Sequence, residues 1–365
     1  MAAKLYSTLM DRVVIGHDLG TSGSRSNLSL NAAYVPGTSG PAFAVRYVCP
    51  AAVAINELYI FMDAFTGTLG NITMACDIYN EHASTATQPG STLRDSSTAT
   101  AMPNAVDKWI KFTFGTPYSP TVGEILWLVC HNTAAVPLTD FPQILITTIT
   151  EPGFYTQRMV GVTTSNGFLT GGTTQFEAPF VVNQGSDYFG QPITNRNNAF
   201  YASSTLKRGI VVSGITEDVS VAGIVFGITT AASGVQIFTS TQAPGDTPIY
   251  SFALGTDANE SRDEVLGYKH FDTPITLVGG TDYLMVITFG SASAGGRLQI
   301  EDYASYPTVF DSLLDGFVAC YAVIDNGAGG WTYDKNILPS LALILAEFVA
   351  ASGGGGISRA RVVNR

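Results

Sequence analysis

Trp331 and Tyr333 follow a Gly329-Gly330 step and stand two residues apart. In an extended chain that spacing turns both rings to one side. Two such faces can stack on the C–H surface of a sugar while neighbouring polar groups bond its hydroxyls. Trp109, beside Asp107 and Lys108, is a second glycan-binding candidate of the same kind. The competing reading gives these rings to hydrophobic cores, with Trp331 capping one of them, and capping is preferred. Trp127 lies inside a continuous apolar run and is assigned to a core.

Other chemistry is harder to assemble. Asp311 with Asp315, and Glu260 with Asp263 and Glu264, could serve glycoside hydrolysis if folding set two carboxyls within about 5–10 Å. Solvated loop charge is the simpler reading. His17, His82, His131 and His270 show neither HxH nor HExxH spacing, so a zinc site lacks support. Gly20-Thr21-Ser22-Gly23 and Gly37-Thr38-Ser39-Gly40 resemble a nucleophile elbow only loosely, and no P-loop follows any strand. Asp325-Asn326 and Asp334 form the nearest thing to a loop calcium cluster, without EF-hand spacing. The expectation is no catalytic residue, no metal and no cofactor.

The elements that must position these residues read as strands. Gly, at 38 residues, and Pro, at 17, are spread between short runs of Val, Ile, Thr, Phe and Tyr, which is the punctuation of many short strands. Hydrophobic residues make up 45% and charged residues 13%, so the chain can bury large cores and has few charges to solvate what remains. Such a surface suits being covered by other proteins. The net charge of −11 argues against nucleic acid as a main partner. Arg359, Arg361 and Arg365 are the one basic concentration and are candidate assembly contacts. Cys49, Cys76, Cys130 and Cys320 form no CxxC pair. They read as small buried hydrophobes of a chain folded in a reducing cytosol. No secretion signal is expected at the N-terminus, and no apolar run reaches the length of a membrane span.

Self-similarity between the two halves organises the chain. Four landmarks occur in one order in each. The first is an alternating strand at 53–61, matched at 219–227. The second is a strand before a Pro-Gly turn, Pro89-Gly90 and Pro244-Gly245. The third is a Thr-Pro step, Thr116-Pro117 and Thr273-Pro274, leading through Gly123 or Gly280 into a buried strand. The last is Gly-Phe, Asn-Gly and Gly-Gly before a final apolar strand, 153–182 and 316–343. The offset drifts between about 155 and 166 residues, as loop insertions between fixed strands would produce.

The expected fold is all-β: two tandem antiparallel β-sandwich domains over 36–190 and 191–349. Jelly-roll topology is preferred and an immunoglobulin-like sandwich is the alternative. Residues 1–35 read as an N-terminal arm, and 350–365 as a Gly-rich basic tail. Residues 195–204 read as the link or the entry to the second domain.

Each unit resembles the jelly-roll domains, related to carbohydrate-binding modules, of bacterial surface proteins and bacteriophage virion proteins. The resemblance rests on the 70–79 strand with Pro89-Gly90, the stretch from Thr116-Pro117 to Val129, and Gly329-Gly330-Trp331. It implies a non-enzymatic structural virion protein made in the host cytoplasm: a capsid decoration, head fibre or tail component. The implied partners are other virion proteins, further copies of the chain and a host surface glycan, with neither nucleic acid nor membrane insertion. A carbohydrate-binding adhesin is the alternative, and a polysaccharide-degrading enzyme comes third.

Overall fold

The computed structural model describes residues 5–9, 12–17, 22–32, 41–81, 83, 89–98, 100–101, 108–134, 138–149, 159–162, 175–191, 199–200, 205–227, 232–254, 260–262, 266–290, 299–302, 319–334, 337–348 and 358–359. Among them the regular structure is all β apart from one 3-10 turn, Leu69–Asn71.

Three strands come first: β1 (Leu5–Leu9), β2 (Arg12–His17) and β3 (Ser22–Ser29). Next are β4 (Ala42–Val48), β5 (Ile55–Thr66), β6 (Thr73–Glu81), β7 (Pro89–Ser96), β8 (Lys108–Thr113) and β9 (Ile125–Asn132). They are followed by β10 (Phe141–Ile149), β11 (Met159–Val162), β12 (Gln175–Glu177), β13 (Phe180–Gln184) and β14 (Asp187–Gln191). A later group holds β15 (Arg208–Val212), β16 (Val219–Gly227), β17 (Ala232–Thr239), β18 (Tyr250–Ala253) and β19 (Leu266–Leu277). It ends with β20 (Tyr283–Phe289), β21 (Ala319–Asp325), β22 (Trp331–Asp334) and β23 (Leu341–Leu345).

One pairing order occurs twice. Strands pair as β7-β6-β9-β4-β11 and as β8-β5-β13. Later in the chain they pair as β18-β17-β20-β15-β21 and as β19-β16-β23. Finer features recur with the order. Gln184 faces Ile55 and Asn183 faces Glu57, which leaves Asn56 as the extra residue of a bulge; Leu345 faces Val221 and Ile344 faces Gly223, which leaves Ala222 extra. Gly123 and Gly280 both turn at positive φ, +77° and +76°. Their N–H groups donate to the carbonyls of Cys49 and Ile215 at 2.8 and 2.7 Å. A side chain at either φ would be strained, so the glycine of the third landmark marks a real backbone requirement.

The N-terminal segment departs from the expected free arm. β1 pairs in parallel with β14 (Leu5 facing Tyr188, Ser7 facing Gly190) and antiparallel with β2. β2 in turn pairs with β23, Val14 facing Ile344 and His17 facing Leu341. This hairpin therefore closes a gap, and one sheet runs β8-β5-β13-β14-β1-β2-β23-β16-β19. Ile15 is 1% exposed within the core, a burial that contributes about 1.5–3 kcal/mol. Gly16, at φ +119°, lies so close to β23 that a Cβ would meet the Leu341 carbonyl oxygen at 2.2 Å. β3 pairs with β10, which also pairs with β5. At the other end, Ser358–Arg359 pairs with Glu347–Phe348. Arg361 and Arg365 lie outside the described residues, as does the side chain of Arg359.

Alternation along β9 and β20 explains why these strands read as continuous apolar runs. Leu126, Leu128 and Cys130 face inward, as do Tyr283, Met285 and Ile287. The opposite faces are also buried. Ala42, Ala44, Tyr79, Trp127 and Val129 cluster on one, and Val211, Phe238, Leu284, Val286 and Val323 on the other. Trp127, expected in a core, is fully buried in the first of these outer clusters.

Candidate functional site

β22 is held on its described side by β21 alone, in the register Asp325–Trp331, Ile324–Thr332 and Val323–Tyr333. The turn before it is built by Asn326, whose Oδ1 accepts the N–H of Ala328 at 2.8 Å and of Gly330 at 3.0 Å. Asp325 Oδ1 accepts the Gly327 N–H at 2.9 Å. Gly327 and Gly329 take the positive φ values, +71° and +88°, that close the turn. Of the three side chains offered as calcium ligands, Asp325 and Asn326 thus hold backbone N–H groups. No group of three or more His, Cys, Asp or Glu suited to a metal exists among the described residues.

This hairpin sets Trp331 and Tyr333 on one side, over the outer cluster of β15, β17, β20 and β21. Trp331 is half-buried. Its ring meets Phe238 edge-on at 5.6 Å, and its Nε1 donates to the Gln242 carbonyl at 2.8 Å. It therefore caps hydrophobic surface and has its one polar atom satisfied. Tyr333 is 46% exposed and meets Tyr321 edge-on at 6.2 Å. Lys207 completes the rim: its Nζ lies 4.8 Å from the Phe238 ring centre and donates to the Pro244 carbonyl. Burial pushes the Lys207 ammonium below its usual pKa, against an opposing pull from Asp325. Lys207, Phe238, Gln242 and Tyr321 were not singled out in the sequence, because their distance from Trp331 along the chain hides their proximity. The ledge presents one open phenol face and a partly covered indole, which suit stacking and hydrogen bonding.

Trp109 belongs elsewhere. It is 4% exposed and its ring meets Phe61 edge-on at 5.4 Å. The β5–β8 pairing sets it beside Phe61, on the face opposite the core positions Ile110 and Phe112, and its burial there leaves no face for a sugar.

A polar cluster on β6 and β9 joins residues that sequence spacing left apart. Asp77 accepts from the Ser96 hydroxyl at 2.7 Å and lies 3.2 Å from His131 Nε2. Tyr79 reaches the same carboxylate at 3.4 Å. Burial raises the Asp77 pKa, yet the hydrogen bonds from His131, Ser96 and Tyr79 outweigh it and the net shift is downward. Ser96 bonds the carboxylate and not the imidazole, so the trio lacks the nucleophile–base contact of a hydrolase. His131 is held against Asp77 near the end of β9, and His270 packs edge-on against Tyr268 at 5.2 Å. Asp311, Asp315, Asp263 and Glu264 lie outside the described residues, as does the Glu260 side chain.

Compared with known protein families, with curated proteins and with solved structures, the chain matches none.

Proposed function

We propose that this chain is a non-enzymatic structural subunit of a bacteriophage virion, in a capsid decoration, head fibre or tail, where it assembles with copies of itself and with other virion proteins. The observation that carries the reading is the β1–β2 hairpin. It joins the strands on either side into one continuous sheet from β8 to β19. A charged share of 13% leaves much of its surface suited to contact with neighbours. We read the repeated pairing order as two sandwich units, 36–190 and 191–349, with the β1–β2 hairpin shared between them. The test is mass photometry of the purified full chain together with sedimentation against purified particles. A symmetric oligomer that binds particles supports the reading; a clean monomer that ignores them opposes it.

A second reading, a carbohydrate-binding role on the same particle, is supported by the open Tyr333 ring beside Trp331. It predicts binding on a glycan array that Tyr333→Ala removes. An array blank with the intact oligomer would end it.

A further inference from the structure

Cys76 on β6 and Cys130 on β9 face each other in the antiparallel register. The backbone shows which kind of facing pair this is. The Cys76 N–H donates to Ser97 Oγ at 2.8 Å, and its carbonyl accepts the Ser97 N–H at 2.7 Å. Both main-chain groups of Cys76 therefore point away from β9, and the pair is the non-hydrogen-bonded kind. In such pairs Cα atoms stand about 4.5 Å apart and side chains come closest. That separation falls within the range a disulfide spans, about 4.4–6.8 Å. Both side chains point into the same core, both are fully buried and both are free thiols.

Packing alone does not call for two sulfurs here. The matching register position on β17 and β20 holds Val235 facing Ile287, both fully buried in the same cluster. Apolar side chains thus fill the equivalent site in the later strand group.

We propose that Cys76 and Cys130 form a latent cross-strand disulfide, kept as thiols while the protein folds in a reducing compartment and closed by a low-molecular-weight disulfide in an oxidising one. Reaction waits for β6 and β7 to open, because neither sulfur is reachable in the closed sheet. Burial also pushes the Cys76 thiol up, and contact with the Cys130 thiol adds to this, so the closed form carries little thiolate. On opening, one cysteine thiolate attacks a sulfur of the small disulfide and releases one thiolate from it. The opposed cysteine, its proton lost to water, then displaces the second thiolate from the mixed disulfide. The protein pair is oxidised by two electrons, and the small disulfide, taking up two protons, leaves as two thiols. The inference stands apart from the proposed role and needs only a change of redox compartment.

The test incubates the full chain with glutathione disulfide at a temperature just below its unfolding midpoint, then quenches in acid, alkylates and maps peptides. The expected product weighs about 2 Da less, carries a Cys76–Cys130 cross-link and keeps two alkylatable thiols of its four cysteines. Its folding equilibrium constant rises by on the order of a thousandfold, as closing a loop of this length predicts. Cys76→Val and Cys130→Val, chosen after the Val235–Ile287 pair, each abolish the mass loss. Alkylated Cys76 and Cys130, or separate glutathione adducts on each, would overturn the proposal. The wild-type map decides this even if neither variant folds.

Discussion

Replacing Tyr47 by Phe removes a single oxygen from the core of β4–β9, and the surroundings fix what that costs. Tyr47 is fully buried, and its hydroxyl donates to Gln184 Oε1 at 2.8 Å. Gln184 is 1% exposed, and its Nε2 donates to the carbonyls of Ala51 at 2.6 Å and Val53 at 3.0 Å. Without the phenol, Gln184 Oε1 is left dry and unpaired, at a cost of about 1–3 kcal/mol. Gln184→Leu leaves the Tyr47 hydroxyl and two carbonyls unpaired and costs at least as much. The later strand group shows the alternative solution, since Val212 and Leu345 occupy the matching register positions and both are buried. Removing both partners together therefore costs less than the sum of the single changes, with a coupling of about 1–2 kcal/mol. Guanidinium chloride unfolding of the wild type, both singles and the double variant measures it, provided the m-values agree. Additive single effects would refute the reasoning and show that the bond carries no stability.

Gly16→Val drives a Cβ into the Leu341 carbonyl and so undocks the hairpin. Hydrogen exchange at Val14 and Ile344 should then quicken several-fold while that at Leu128 holds. Trp331→Phe keeps the cap but loses the bond to Gln242, at about 1 kcal/mol in thermal unfolding, whereas Tyr333→Ala, at an exposed position, leaves the midpoint within experimental scatter. Acid unfolding should draw on Asp140 and Asp77. The Thr68 N–H, with Thr139 and Asn71, lowers the Asp140 carboxyl below its usual 3.8, and Asp77 is lowered on balance too. A depressed carboxylate stabilises above its unfolded pKa and loses that contribution as pH falls through its folded value. Circular dichroism should therefore show stability falling below pH 3.8, with a smaller fall in Asp140→Asn; equal acid sensitivity in that variant would contradict the assignment.

Strand content was legible because turn residues cut the chain at short intervals, and the likeness of Gly123 and Gly280 was legible because both carry a backbone demand that composition records. The shared side of Trp331 and Tyr333 followed from period two alone. The hairpin was not legible. Its partners, Tyr188 to Gly190 and Leu341 to Ile344, lie far along the chain, and the Gly, Ser and Asn after Asp18 read as an arm. Trp109 stayed a glycan candidate beside the preferred core reading because adjacent charges describe its neighbours and not the face its own ring takes. Gln184 was passed over because a polar residue ending an apolar run looks like a strand terminus, while its Tyr47 partner lies 137 residues away. Long-range pairing decided each of these, and local pattern cannot encode it.

In the proposed role the chain is a virion building block whose N-terminal hairpin joins its two strand groups. A density map of intact particles from a culture expressing the chain tests it most directly. The expected result is density for both strand groups in repeated copies, with the hairpin bridging β14 and β23. Particles that lack the chain, with all of it left monomeric in the supernatant, would contradict it.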